Sequence, residues 1–201
     1  MKILTARVET EFNVKGSKFL SELFPCENQS DARNIVKSQK TKYSDATHVV
    51  HAFVLGLSAE ILGMSDDGEP SGTAGRPALD VLKGSGCTNL VLTITRWFGG
   101  TLLGTGGLVK AYGDGAKLAI QAAENLCAFE EYVEKKNFLF AADYSSYQVI
   151  KRIMQAFSIS NLKEDFGADV KVSGKINADE FDLFFQKIKD ISNGGILVES
   201  V

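Results

Sequence analysis

NLVLTITRWF, residues 89–98, runs directly into GGTLLGTGGLVKAYG, residues 99–113. The first ten residues are an almost unbroken apolar run with β-branched side chains, the pattern of a strand covered on both faces. Arg96 shares parity with Leu90, Leu92 and Ile94, so it would leave the core face only at the strand's end. Beyond the glycines, Leu108, Ala111, Gly115, Leu118, Ala119, Ala122 and Leu126 recur at helical spacing and predict a helix. Gly113 and Gly115 inside it cost about 1 kcal/mol each relative to alanine, which predicts a close neighbour against that backbone.

Working outward, SDDGEPSGTAGRP (65–77) is a long polar loop, acidic at Asp66, Asp67 and Glu69. It leads to a helix over Ala78–Lys83 that Pro77 would begin and Gly84 would end. Upstream, His48–Leu55 and Ala59–Met64 read as a hairpin turning at Gly56 to Ser58. Further upstream, Ala6–Val14 and Lys18–Phe24 read as strands, and Ser30 as the cap of a helix through Ala32, Ile35 and Val36. Mixed α+β structure results. Of 19 glycines, 14 fall between Gly56 and Gly115, which sets this part apart from the rest.

The remainder predicts a second domain, dividing the chain at 1–132 and 133–201. Phe138–Tyr144 reads as a strand, and Ser145 and Ser146 as caps of a helix through Val149, Ile150, Ile153, Met154 and Phe157. Ser160–Phe166 and Val170–Ile176 form a hairpin across Gly167–Asp169. Asn177 would then cap a helix with Phe181, Phe184, Phe185, Ile188 and Ile191 inward, ended by Asn193–Gly195 before a last strand, ILVES. The order β-α-β-β-α-β is the ferredoxin-like pattern, and no catalytic constellation is visible in it.

Composition limits the class of function. With 201 residues and a net charge of −3, coating by nucleic acid through bulk charge is disfavoured, while local basic patches remain open. Apolar residues at 44% and a mean hydropathy of −0.02 exclude disorder, collagen and coiled coil. No run reaches the length of a membrane span, and the charged start MKILTARVETEF does not resemble a signal peptide, so a cytoplasmic protein without membrane partners is expected. Cys26, Cys87 and Cys127 lack C-x-x-C spacing and read as buried, reduced thiols.

Thr105, Gly106 and Gly107 would present free N–H groups and a positive dipole end beside a loop without side-chain bulk, an anion site in physical terms. Lys110 opposes that dipole, and an anionic ligand would relieve the conflict. Arg76 and Arg96 could add guanidinium donors suited to phosphate. The competing reading is that the glycines only make tight turns and close packing; neither Walker A nor G-x-G-x-x-G spacing is present. Asp66, Asp67 and Glu69 could hold Mg²⁺, although a turn with solvated charges is the favoured reading, so no cofactor is firmly indicated. His48 and His51 point to opposite faces of a strand, which disfavours joint metal binding; His48 alone is a candidate to line the site. Trp97 is undecided between core packing and a stacking platform for bases.

SDDGEPSGTAGRP and TRWFGGTLLGTGGLVKAYG, in this order, resemble the IMPACT/YigZ family, and the match extends to Gly16–Phe19 and Ala46–Gly56. The resemblance implies a ribosomal protein S5 domain 2-like first domain and a second domain similar to the last, ferredoxin-like domain of elongation factor G. It also implies a link to regulation of translation. His48, Asp66, Asp67, Glu69, Ser71, Thr73, Arg76, Arg96, Gly99, Gly100, Gly104 to Gly107 and Lys110 match the family's motifs. Three positions depart from it: Val50 stands where a cysteine is common, Trp97 replaces tyrosine, and Lys110 replaces an arginine with a side chain that cannot bind bidentately. The expectation is a translation-related factor, non-enzymatic, that holds RNA or ribosome phosphates at Arg76, Arg96, Gly104–Gly107 and Lys110. The rivals are a metal-assisted enzyme acting on a small phosphorylated or peptide-like substrate, and a module that docks a protein partner.

Overall fold

The computed structural model describes residues 1–56 and 58–200, so the turn expected at Gly56 to Ser58 lies partly outside the described residues. The chain divides into two compact units, Met1–Tyr132 and Val133–Val201. In the first unit the order is β1 (Lys2–Leu4), β2 (Val8–Val14), β3 (Ser17–Pro25), α1 (Gln29–Lys42), β4 (His48–Leu55), β5 (Ile61–Ser65), α2 (Gly75–Gly84), β6 (Cys87–Thr88), β7 (Leu90–Trp97), α3 (Gly104–Asn125) and β8 (Phe129–Glu131). The second unit holds β9 (Lys135–Ala142), α4 (Tyr144–Met154), β10 (Ile159–Phe166), β11 (Val170–Asn177), α5 (Phe181–Ile191) and β12 (Glu199–Ser200).

β7 is the middle strand of a five-stranded antiparallel sheet ordered β2-β3-β7-β4-β5. Its alternation serves two covers. Leu90, Leu92 and Ile94 join the core beneath α2 and α3, whereas Val91 packs with Ala32, Leu55 and Cys26 beneath α1. A small sheet, β6-β1-β8, ties the start of the chain to the end of this unit. The buried face of α3 is Leu108, Ala111, Tyr112, Gly115, Ala116, Ala119 and Ala123. Leu118 and Leu126 lie outside it, at 37% and 68% exposure. Gly115 is the close approach that its composition suggested, because a Cβ there would stand 2.8 Å from the Phe12 ring.

The second unit is one antiparallel sheet ordered β10-β11-β9-β12 with α4 and α5 sharing a core on one face. Phe138, Phe140 and Ala142 alternate inward from β9 to meet Tyr147, Ile150, Phe184 and Ile188.

The helix starts differ from the sequence reading. Asn28, not Ser30, caps α1 by accepting from Asp31 N, and Asp143, not Ser145 or Ser146, caps α4 by accepting from both of their amides. A carboxylate or amide oxygen two or three residues earlier reaches the free N–H groups better than a hydroxyl already inside the first turn. Glu180, rather than Asn177, precedes α5, and α2 begins at Gly75, ahead of Pro77. Cys26 and Cys87 are buried, as expected, but Cys127 is exposed; burial raises the thiol pKa of the first two. Among the described residues no helix is long and apolar enough to cross a membrane.

Candidate functional site

The acidic loop between β5 and α2 is built around its own carboxylates. Its backbone bends through positive φ at Asp67 (47°), Gly68 (89°) and Gly72 (77°). Asp66 is thereby turned back on the loop, where Oδ1 accepts from Ala74 N at 3.0 Å and Gly75 N at 2.8 Å, and Oδ2 from Gly72 N at 2.8 Å. The nominal cap of α2, Ala74, has no side-chain oxygen, so Asp66 supplies the anion that the helix start attracts. Burial pushes the Asp66 carboxyl up, but the amides of Gly72, Gly75 and Ala74 together outweigh it and hold the group below the usual carboxylate range. Because the folded pKa is depressed, this stabilisation is present above the unfolded carboxylate pKa and is lost as pH falls through the folded value. Asp66→Ala is therefore expected to cost about 1–2 kcal/mol at neutral pH. Urea titrations across a pH series should show its deficit against the parent closing in acid.

Asp67 and Glu69 turn the other way. Asp67 Oδ2 accepts from Val49 N at 2.7 Å, and the same carboxylate is paired with Lys40. The carbonyl of Asp67 accepts from His48 Nδ1 at 2.8 Å, while His48 Nε2 lies 3.9 Å from Glu69 Oε2. Glu69 is buried against Arg96, whose Nη1 is 2.6 Å from Oε1, and the Tyr112 hydroxyl donates to that same oxygen at 2.7 Å. Burial, and then the hydrogen bond to Glu69, push the Tyr112 phenol far above its ordinary value, so it stays protonated and donates to that carboxylate. Arg96 is 5% exposed, also reaches Ser17 Oγ at 3.3 Å, and lies against the Phe19 ring.

Two expectations change here. Arg96 does not leave the core as a phosphate donor at the strand end, because Glu69 and Ser17 hold its head inside. The three loop carboxylates do not gather around one point either: Asp66 faces amides, Asp67 an amide and Lys40, and Glu69 Arg96 and Tyr112. Both oxygens of Asp66 and of Asp67 and Oε1 of Glu69 are committed to protein donors, and among the described residues no cluster of three or more His, Cys, Asp or Glu is disposed to hold a metal. This donor set does not fit Mg²⁺, which takes unengaged oxygen ligands in octahedral array. Thr73 is likewise structural, its Oγ1 donating to Pro70 O at 2.6 Å, while Ser71 is exposed.

The glycine loop after β7 has a different character. Gly99 lies against Gly16 backbone to backbone, and its amide donates to Ser17 Oγ at 3.2 Å. α3 then starts at Gly104, earlier than expected, so Thr105, Gly106 and Gly107 form its first turn rather than its approach. Leu103 sits at the cap position without a side-chain hydrogen bond, and the first turn has no acidic residue. Gly104, Thr105 and Gly106 are exposed and Gly107 is partly so. Lys110 is exposed and paired with Asp114 at 2.7 Å, one turn on; Arg76 is exposed and paired with Asp80 at 2.9 Å on α2. Trp97 donates from Nε1 to Asp45 Oδ2 at 2.9 Å, packs edge-on against Tyr43 and lies under Lys18, so its ring is engaged locally.

Tyr112 and Ser17 are the residues that sequence reasoning passed over, although they link the acidic loop to α3 and to β3. Tyr112 falls four residues after Leu108 on the apolar stripe, a position at which a buried hydroxyl demands a partner. Ser17 gave no comparable signal, since the pairing of β3 with β7 and the crossing of Gly16 and Gly99 bring it to Arg96.

The geometry defines a two-unit α+β protein whose first unit joins an internally satisfied acidic loop, through Tyr112, to an open glycine-rich helix start. The Impact N-terminal domain family model matches residues 15–120, more than half the chain and the whole stretch from Ser17 through Lys110. An IMPACT family member from Haemophilus influenzae is 32% identical over 94% of this chain and 91% of its own length. IMPACT family member YigZ from Escherichia coli is 32% identical over 96% of this chain and 94% of its own length. A crystal structure of a hypothetical protein superposes with a TM-score of 0.72 at 31% identity, covering 100% of this chain and 96% of the other. The chain belongs to the IMPACT family.

Proposed function

We propose that this protein is a cytoplasmic, translation-related factor that binds phosphate groups of RNA or of the ribosome at the start of α3. In this reading the first unit has the ribosomal protein S5 domain 2-like fold and the second the ferredoxin-like fold of the last domain of elongation factor G. The antiparallel order β12-β9-β11-β10, with both helices on one face, supports the second assignment. Family membership supports the link to translation.

The observation that carries the binding reading is the contrast between two helix starts in one unit. α2 has its N–H groups occupied by Asp66, whereas the turn at Thr105, Gly106 and Gly107, exposed at the first two and partly so at the third, has neither a capping side chain nor an acidic residue. Free amides at a positive dipole end attract an oxyanion, and the glycines leave room for it to approach. Lys110 sits in the same region with its head exposed, and Arg76 is the further candidate on α2. Such contacts position a phosphate backbone without reading base sequence.

RNA affinity should then fall log-linearly with salt, independent of base sequence, in anisotropy titrations of labelled single-stranded oligonucleotides. Lys110→Ala is expected to lower the slope by about 0.7, the value for one phosphate contact on a single strand. No binding at low salt, or a slope unchanged in the folded variant, contradicts the reading.

A further inference from the structure

A groove between α1 and β4, away from the glycine loop, carries chemistry that the proposed function does not use. It encloses about 390 Å³, with Val36, Phe53 and His51 among its lining and Arg33, Lys37 and Lys40 along one side. That volume lies in the range of small-molecule sites. The three cations fall at i, i+4 and i+7 of α1, on one stripe of the helix, where like charges repel. Lys40 is neutralised by Asp67, but among the described residues no carboxylate pairs with Arg33 or Lys37. Two uncompensated positive charges one helical turn apart match one dianion.

The floor is aromatic, and it carries an unpaired nitrogen. Phe53 and His51 lie with their ring planes 5° apart and centroids at 6.5 Å. Phe53 is set in place by Gly63 on β5, where any Cβ would stand 2.1 Å from the Phe53 ring. The His51 ring has no hydrogen-bond partner among the described residues, and its Nδ1 is buried. Burial, and then the charge of Lys40, push the His51 imidazole below its ordinary value, which disfavours a further cation on that side of the groove. Aromatic faces with one polar handle favour a planar ligand of the same kind.

We propose that this groove binds a phosphate monoester carried on a planar ring system, of mononucleotide size, with the phosphate at Arg33 and Lys37 and the ring over Phe53 and His51. Two sources share that chemistry, a free mononucleotide and the phosphorylated 5′ end of an RNA strand. The inference does not depend on phosphate binding at α3.

The test reads the two imidazoles of the chain by NMR during titration with adenosine 5′-monophosphate. His51 is the reporter; His48, held at Asp67, is the internal control. A saturable shift of His51 alone is expected. Adenosine should bind at least roughly tenfold more weakly, and the Arg33→Ala/Lys37→Ala variant should lose roughly tenfold or more, as charge-assisted contacts to phosphate predict. Both substitutions fall on exposed helix positions, and circular dichroism confirms the fold. The Lys83→Ala/Lys175→Ala variant, which changes net charge equally elsewhere, should bind as the parent does. A 5′-phosphorylated hexanucleotide separates the sources: tighter binding than the mononucleotide assigns the site to an RNA end, weaker binding to a free nucleotide. No His51 shift with either probe, equal binding of adenosine, or equal loss in both double variants would overturn the proposal.

Discussion

Arg96→Ala is expected to destabilise the protein by about 3–5 kcal/mol, the cost of removing one partner from a buried ion pair. Arg96 and Glu69 are both buried, their nearest atoms 2.6 Å apart, and Tyr112 donates to the same carboxylate oxygen. Truncation leaves the Glu69 charge in a low-dielectric core with the tyrosine hydroxyl as its remaining close donor. It also removes the aliphatic stem and the guanidinium that pack near Phe19 and Phe98. Urea unfolding followed by circular dichroism would measure the loss. Glu69→Leu/Arg96→Met/Tyr112→Phe, which removes the buried charges and the tyrosine hydroxyl together and leaves Ser17 Oγ with its contact from Gly99 N, should recover most of it, because well-packed apolar groups often replace a buried polar set at little cost. A loss below about 1 kcal/mol for Arg96→Ala would mean that the pair behaves as a solvated surface contact.

Gly99→Ala should be comparably damaging for a steric reason. Its Cβ would stand 1.9 Å from the Gly16 carbonyl carbon, 2.0 Å from that residue's oxygen and 2.3 Å from Ser17 N. These are backbone atoms of the β2–β3 turn, where Gly16 itself has φ of +84°, so no side chain can rotate away. The two segments must separate, breaking the contact from Gly99 N to Ser17 Oγ and disturbing the Ser17 contact with Arg96. A loss of about 3 kcal/mol or more is expected. Gly100→Ala provides the comparison: its Cβ would meet nothing within 4 Å, but φ of +84° imposes a backbone cost of about 1–2 kcal/mol. Thermal unfolding of the two variants should rank them in that order, and the reverse order would contradict the crossing as the source of the constraint.

The chain alone determined those features whose causes are local or periodic. The apolar run through Leu90–Ile94 declared a strand covered on both sides, because alternate residues on an exposed strand would have to be polar. The period-two and period-3.6 patterns of the last third gave its order of strands and helices, since each element's burial is written in its own spacing. The motifs in the acidic and glycine-rich loops were enough to identify the family.

Tertiary structure decided what each charge does. Asp66 and Arg96 are 30 residues apart in sequence and had equal standing as surface groups. Folding turned one onto the amides of α2 and enclosed the other with Glu69, 27 residues away. A carboxylate or guanidinium shows its valence in the sequence but not its partner, and in a partly buried setting the partner determines whether the charge is free to meet a ligand. The same reason separates the two glycine-rich helix starts, which read alike along the chain. One is closed by an aspartate that the loop's positive-φ turns bring back to it; the other has no such carboxylate in its first turn and stays open.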